Sequence, residues 1–118
     1  MLLSLTLSGC TSRFQQGVEA YDEARYATAL ETLRAEEASV MAGDLEQRAR
    51  YALYRGLAHL ATGDVMAAEH WLGAAKDAHD RHPRLFDPTE QGRLLNAWRS
   101  LGRFEGQGRV GASWRINE

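Results

Sequence analysis

Apolar residues recur at spacings of three and four along most of the chain, which predicts helices. From Arg13 to Ala24 the apolar positions are Phe14, Gly17, Val18, Tyr21 and Ala24. A second helix is predicted from Tyr26 to Val40, with Ala29, Leu30 and Leu33 on its inner side. Met41-Ala42-Gly43-Asp44 interrupts the pattern. Gly43 suits a helix C-cap, and Asp44 suits the N-cap of a third helix over Leu45 to Ala61. Thr62-Gly63-Asp64 predicts a tight turn, because glycine takes positive φ without strain. The fourth helix covers Val65 to Asp80 and ends before Pro83, which has no N–H to give a helix interior. Asp87-Pro88-Thr89-Glu90 then starts a fifth: Asp87 caps, Pro88 suits the first helical position, and Glu90 is placed to reach back in a capping box. This helix is predicted to run to Leu101, with Leu94, Leu95, Trp98 and Leu101 as its stripe. From Glu105 the glycines come close together, at Gly106, Gly108 and Gly111. A flexible tail is expected over 105–118, with Val110, Trp114 and Ile116 available to dock.

The same pattern returns after 39 residues. Ala24, Gly63 and Gly102 share one position, Tyr26, Val65 and Phe104 a second, and Ala20, His59 and Trp98 a third. Gly17 matches Gly56, Ala29 matches Ala68, and Leu33 matches Leu72. A fixed period of roughly 20–50 residues means one supersecondary unit copied and stacked. Stacks of this kind build extended surfaces for binding.

The best unit, Arg48 to Ala78, resembles a tetratricopeptide repeat through Gly56, Gly63, Val65, Ala68, Leu72 and Ala75. His59 departs, standing where that family has a small residue. The first unit matches through Gly17, Ala20, Ala24, Tyr26, Ala29 and Leu33, and lacks only the turn glycine. The third matches around Leu101-Gly102-Arg103-Phe104-Glu105, and its second helix is missing. The family's period is about 34 residues; the extra residues here fall around 39–44 and 79–87. The resemblance implies an all-α domain over 10–104: about five antiparallel helices, as two and a half hairpins of a short α-solenoid. In such a unit the small residues Gly17, Ala20, Ala29, Gly56 and Ala68 let paired helices approach closely. Tyr26, Leu33, Val65 and Leu72 fill the space towards the next hairpin, and Trp98, Gly102 and Phe104 continue the pattern.

The family's binding groove is lined by the first helix of each hairpin. Carried onto this sequence, the resemblance makes Arg50, Leu53, Leu57 and Leu60 groove residues, together with Phe14, Val18, Tyr21 and Asp22. Such an apolar wall would take an apolar or amphipathic peptide, with Asp22 and Arg50 fixing its orientation. Alternatively several of these residues, Leu57 and Leu60 among them, meet the fifth helix or the tail and are core. Family grooves that grip a C-terminal carboxylate use Lys and Asn; the single lysine here, Lys76, lies on a second helix, and that activity is not inferred.

Met1 to Gly9 is an uncharged apolar leader followed at once by Cys10. It is too short to span a bilayer, which takes about 20 apolar residues. Leu7-Ser8-Gly9-Cys10 resembles the lipobox of bacterial lipoproteins, although no basic residue precedes the apolar run. The resemblance implies cleavage before Cys10, a lipid on its thiol and a membrane anchor in the cell envelope. Two or three acyl chains hold where one is marginal. Thr11, in place of Asp, resembles the outer-membrane sorting signal of Gram-negative lipoproteins, so the outer membrane is favoured over the inner, on its periplasmic face.

Composition narrows function further. With 118 residues the chain makes one small domain, and 44% hydrophobic residues is ordinary for a globular protein. A net charge of -2 argues against general nucleic-acid binding, which needs a basic surface. That charge is polarised: Val18 to Glu46 is acidic, and the chain from Gly92 onward is basic. One cysteine leaves no internal disulfide. His79, His82 and Asp77 fall near one another, but no spacing fixes a third strong metal ligand. No nucleophile triad, glycine-rich phosphate loop or paired-cysteine motif is present, so neither enzyme activity, cofactor nor metal is expected. The expected function is that of an envelope adaptor holding a protein partner. The alternative is a structural subunit that completes a larger helical assembly or a homodimer.

Overall fold

In a computed structural model the described residues are 12–105. They form six helices and no strands: α1 (Arg13–Asp22), α2 (Tyr26–Ala35), α3 (Glu37–Met41), α4 (Leu45–Ala61), α5 (Val65–Arg81) and α6 (Pro88–Glu105). The leader, Cys10 and the expected tail beyond Glu105 lie outside the described residues.

Four of the six helices, α1, α4, α5 and α6, start at a side-chain cap. Ser12 Oγ accepts from the Gln15 N–H at 3.0 Å, and Asp64 Oδ1 accepts from the Ala67 N–H at 3.2 Å. Asp44 and Gln47 form a full capping box: each side chain accepts from the other's backbone N–H at 2.9 Å. Asp87 caps α6 through the Glu90 N–H at 2.8 Å. The Glu90 side chain does not reach back; it accepts from Arg50 and Tyr54 instead.

The two hairpin turns are alike. After α1, the Ala24 N–H donates to the Tyr21 carbonyl and the Arg25 N–H to the Ala20 carbonyl. After α4, the Gly63 N–H donates to Leu60 and the Asp64 N–H to His59. Both are Schellman endings, which need a left-handed residue at the turn. Ala24 takes φ 64° and Gly63 φ 89°.

Packing is also duplicated. A Cβ placed on Gly17 would stand 2.7 Å from Leu33 Cδ2, and one on Gly56 would stand 2.6 Å from Leu72 Cγ. In each hairpin a leucine of the second helix therefore lies on the bare backbone of the first. α1 packs on α2, α2 on α4, α4 on α5 and α5 on α6, with α4 also touching α1, α3 and α6. One core runs through these contacts, and its largest fully buried side chains are Leu33, Tyr51, Leu53, Leu72 and Leu94. A smaller cluster of Ala20, Ala29, Leu30 and Ala58 lies where α1, α2 and α4 meet.

Two boundaries differ from those expected. The second helix breaks at Glu36. The Leu33 carbonyl, which a continuous helix would offer to the Glu37 N–H, accepts from the Tyr51 hydroxyl at 2.7 Å and from the Glu36 N–H at 3.0 Å. At the other end α6 passes straight through Gly102, so the third turn does not form there.

Candidate functional site

α1, α4 and α6 share one face of the protein, and the expected groove residues lie on it. Val18, Leu53 and Leu57 are buried. They belong to the same core as Leu94, Ala97 and Leu101, which α6 supplies. These three residues therefore form no open apolar wall. Phe14, Tyr21, Arg50 and Leu60 are half-buried, and Asp22 is exposed.

What remains at this face is aromatic and charged. Glu90 is 4% exposed, and its Oε2 accepts from Arg50 Nε at 2.9 Å and from the Tyr54 hydroxyl at 3.2 Å. Arg93 donates to the Tyr54 hydroxyl at 3.0 Å and to Asp22 Oδ1 at 2.8 Å, joining α6 to both α4 and α1. The Arg50 guanidinium lies 5.2 Å from the Phe14 ring centre, and that of Arg93 lies 5.4 Å from Tyr21. Tyr54 meets Phe14 and Tyr21 edge-on, at 6.2 Å and 6.0 Å between centroids.

Titration at this face follows from burial. Desolvation first, and the Glu90 carboxylate second, push the Tyr54 phenol up to about 12. Tyr21 is raised chiefly by burial, against the lowering influence of Arg93. Burial opposes the charge on Arg93, but its hydrogen bond to Asp22 and the fields of Tyr54 and Asp22 outweigh this and raise its pKa. These groups all hold their ordinary charge state near neutrality, so the face is a fixed pattern of charge and aromatic surface.

On the opposite flank, Tyr51 and Arg55 of α4 meet α2, α3 and α5. Arg55 pairs with Glu37 at 2.6 Å and lies 4.5 Å from the Trp71 ring centre. Tyr51, raised chiefly by burial, donates to Leu33 and meets Trp71 edge-on at 5.5 Å. His59 is 3% exposed, and its Nδ1 has no hydrogen-bond partner. Burial first, then the neighbouring Arg55 charge, lower its pKa.

The expected packing residues Gly17, Ala20, Ala29, Leu33, Gly56, Ala68 and Leu72 are buried. Tyr26, Val65 and Trp98 are half-buried, and Gly63 and Gly102 are exposed. Phe104 lies in the last turn of α6. Tyr54, Glu90 and Arg93 were missed as site residues. Tyr54 and Arg93 stand one 39-residue period apart, which is the signal that would have placed them on equivalent faces. Among the described residues no three His, Cys, Asp or Glu side chains form a metal-sized cluster, and no helix is long and apolar enough to cross a membrane.

No protein-family model, curated protein or solved structure matches this chain.

Proposed function

We propose that this chain is a tetratricopeptide-like interaction module, held by an acylated Cys10 on the periplasmic face of a bacterial envelope membrane, the outer membrane foremost, where it binds a protein partner. The observation that carries the repeat reading is the turn shared by Ala24 and Gly63, one period apart, with the same pair of backbone hydrogen bonds. The seats of Leu33 on Gly17 and Leu72 on Gly56 support it independently. The partner surface on this reading is the α1–α4–α6 face, where the half-buried Tyr21, Arg50 and Arg93 supply residue types that dominate protein interfaces. An arriving segment displaces the Asp22–Arg93 contact, whose side chains are 46% and 29% exposed. Such a pair is worth at most about 1 kcal/mol, so it hardly opposes binding.

The anchor rests on the Leu7-Ser8-Gly9-Cys10 resemblance. Labelling with radioactive palmitate in a Gram-negative host tests it: label in the wild type and none in Cys10→Ala is expected. Equal label in both, or none in either, refutes the anchor. For the face, Tyr21→Ala with Arg93→Glu is expected to abolish co-purification of the partner from detergent-solubilised membranes at unchanged helical content.

One observation favours a second reading, in which the chain completes a larger helical assembly. By the 39-residue period Leu95 occupies the place of Gly17 and Gly56, on which a second helix lies in both hairpins. Leu95 is 37% exposed, and Cβ atoms added to Gly92 and Gly102 on the same helix would meet nothing. Sedimentation at several concentrations separates the two readings, since only the assembly self-associates or requires a stoichiometric helical subunit.

A further inference from the structure

A groove on the other side of α4 has no part in the face described above. At 100° per residue, Leu45, Ala49 and Ala52 point away from Arg50 and Tyr54. Two adjoining hollows, of about 250 Å³ and about 430 Å³, share Leu45, Arg81 and His82. Alanines make the floor: Ala49 and Ala52 from α4, Ala74 and Ala78 from α5. Trp71 makes one wall, held by Tyr51 and Arg55, and Met41 and Leu45 make the other. Met41 is 39% exposed and Leu45 37%. Alanine floors admit a helix backbone closely, and a wall already fixed by its neighbours costs little ordering on binding.

The rim is cationic although the chain as a whole is acidic. Arg48, Arg81, His82 and Arg84 border the groove, and among the described residues Asp77 is the one carboxylate that lines it. Asp77 is taken by Arg81 at 3.3 Å, and the nearby Asp80 by Lys76 at 2.9 Å. Arg48 donates to the Gly43 carbonyl at 2.7 Å. Neither Arg48 nor Arg84 has a carboxylate partner among the described residues. An occupant that leaves these arginines paired carries carboxylates flanking an apolar stripe.

We infer that this groove docks an acidic amphipathic helix of a partner protein, its apolar stripe on the alanine floor and its carboxylates on Arg48 and Arg84. The inference is independent of the α1–α4–α6 face and of the lipid anchor. A module with both surfaces bridges two protein segments.

The test uses the full chain carrying Cys10→Ala and two fluorescein-labelled helical peptides. Both present leucines at i, i+3, i+4 and i+7; one has Glu at the flanking positions and the other Lys. Fluorescence anisotropy is expected to show saturable binding of the Glu peptide, weakened at least tenfold by Arg84→Glu, by Leu45→Glu, and by high salt. The Lys peptide is expected to bind at least tenfold more weakly. Arg84 and Leu45 are exposed, so both variants keep the fold, which circular dichroism verifies. Failure of the Glu peptide to bind, or equal affinity for both peptides, overturns the inference. Binding of vesicles with 30% phosphatidylglycerol in place of the peptide also overturns it, in favour of a membrane surface. Concentration-dependent dimerisation abolished by Arg84→Glu overturns it in favour of a second copy of this chain.

Discussion

Leu72 rests on Gly56 so closely that a methyl group on the glycine would stand 2.9 Å from the Leu72 backbone nitrogen as well as 2.6 Å from Cγ. Backbone cannot rotate away as a side chain can. Gly17 meets its partner Leu33 only through side-chain atoms. Gly56→Ala is therefore expected to cost about 2–3 kcal/mol and Gly17→Ala about 1 kcal/mol, both net of the helix propensity alanine adds. At Gly92 and Gly102 nothing lies within 4 Å, and the same substitution is expected to add up to about 1 kcal/mol each. Urea unfolding of the four variants reads all these differences. Equal effects at all four glycines would contradict the seating of the two leucines.

Ala24 occupies a left-handed turn position at φ 64°, as Gly63 does at φ 89°. An alanine there is strained by about 1–2 kcal/mol, partly offset by the unfolded-chain entropy that glycine adds. Ala24→Gly is expected to stabilise by about 1 kcal/mol. Gly63→Ala, with open space around its Cβ, is expected to destabilise by a similar amount through backbone conformation alone. Thermal midpoints moving in opposite directions are the readout.

Removal of Glu90 leaves Arg50 and the Tyr54 hydroxyl without their acceptor. Because Arg50 is partly in water, Glu90→Ala is expected to cost about 1–3 kcal/mol, less than for a fully buried pair. Glu90→Gln keeps an acceptor oxygen and is expected to cost less. In either variant Tyr54 ionises below its present value of about 12, since the carboxylate's repulsion of the phenolate is gone. Ultraviolet titration of tyrosine absorbance, compared with the wild type, follows this shift.

His59 binds a proton less readily when folded than when unfolded, chiefly because it is buried. Its contribution to stability is therefore complete above the unfolded pKa of about 6.5 and is lost as pH falls through that value towards the lower folded pKa. His59→Gln is expected to flatten the fall in unfolding free energy between pH 7.5 and pH 5, leaving the slope owed to other groups. An unchanged slope would contradict burial of the neutral imidazole.

Local chemistry made most of this architecture legible. Caps at Asp44 and Asp87 marked helix starts, and the 39-residue period placed the turns at Ala24 and Gly63. The break at Glu36 was hidden, because it depends on Tyr51, distant in sequence, capturing the Leu33 carbonyl. Periodicity carries no information about such a bond. Burial of several groove residues, Leu57 among them, was one of two readings, and the pattern alone could not choose between them. A helix face reads the same whether water, a partner or α6 covers it. Glu90 illustrates the limit most plainly. Its spacing from Asp87 fits a capping box, yet a nearby arginine and tyrosine from α4 offer the carboxylate stronger partners.

Duplication of one hairpin is tested most directly by methyl NOESY spectroscopy of leucine-labelled protein. Cross-peaks are expected from the Leu33 δ-methyls to Gly17 Hα and from the Leu72 δ-methyls to Gly56 Hα, at comparable intensity. One cross-peak present and its counterpart absent, in a folded sample, would contradict the repeat.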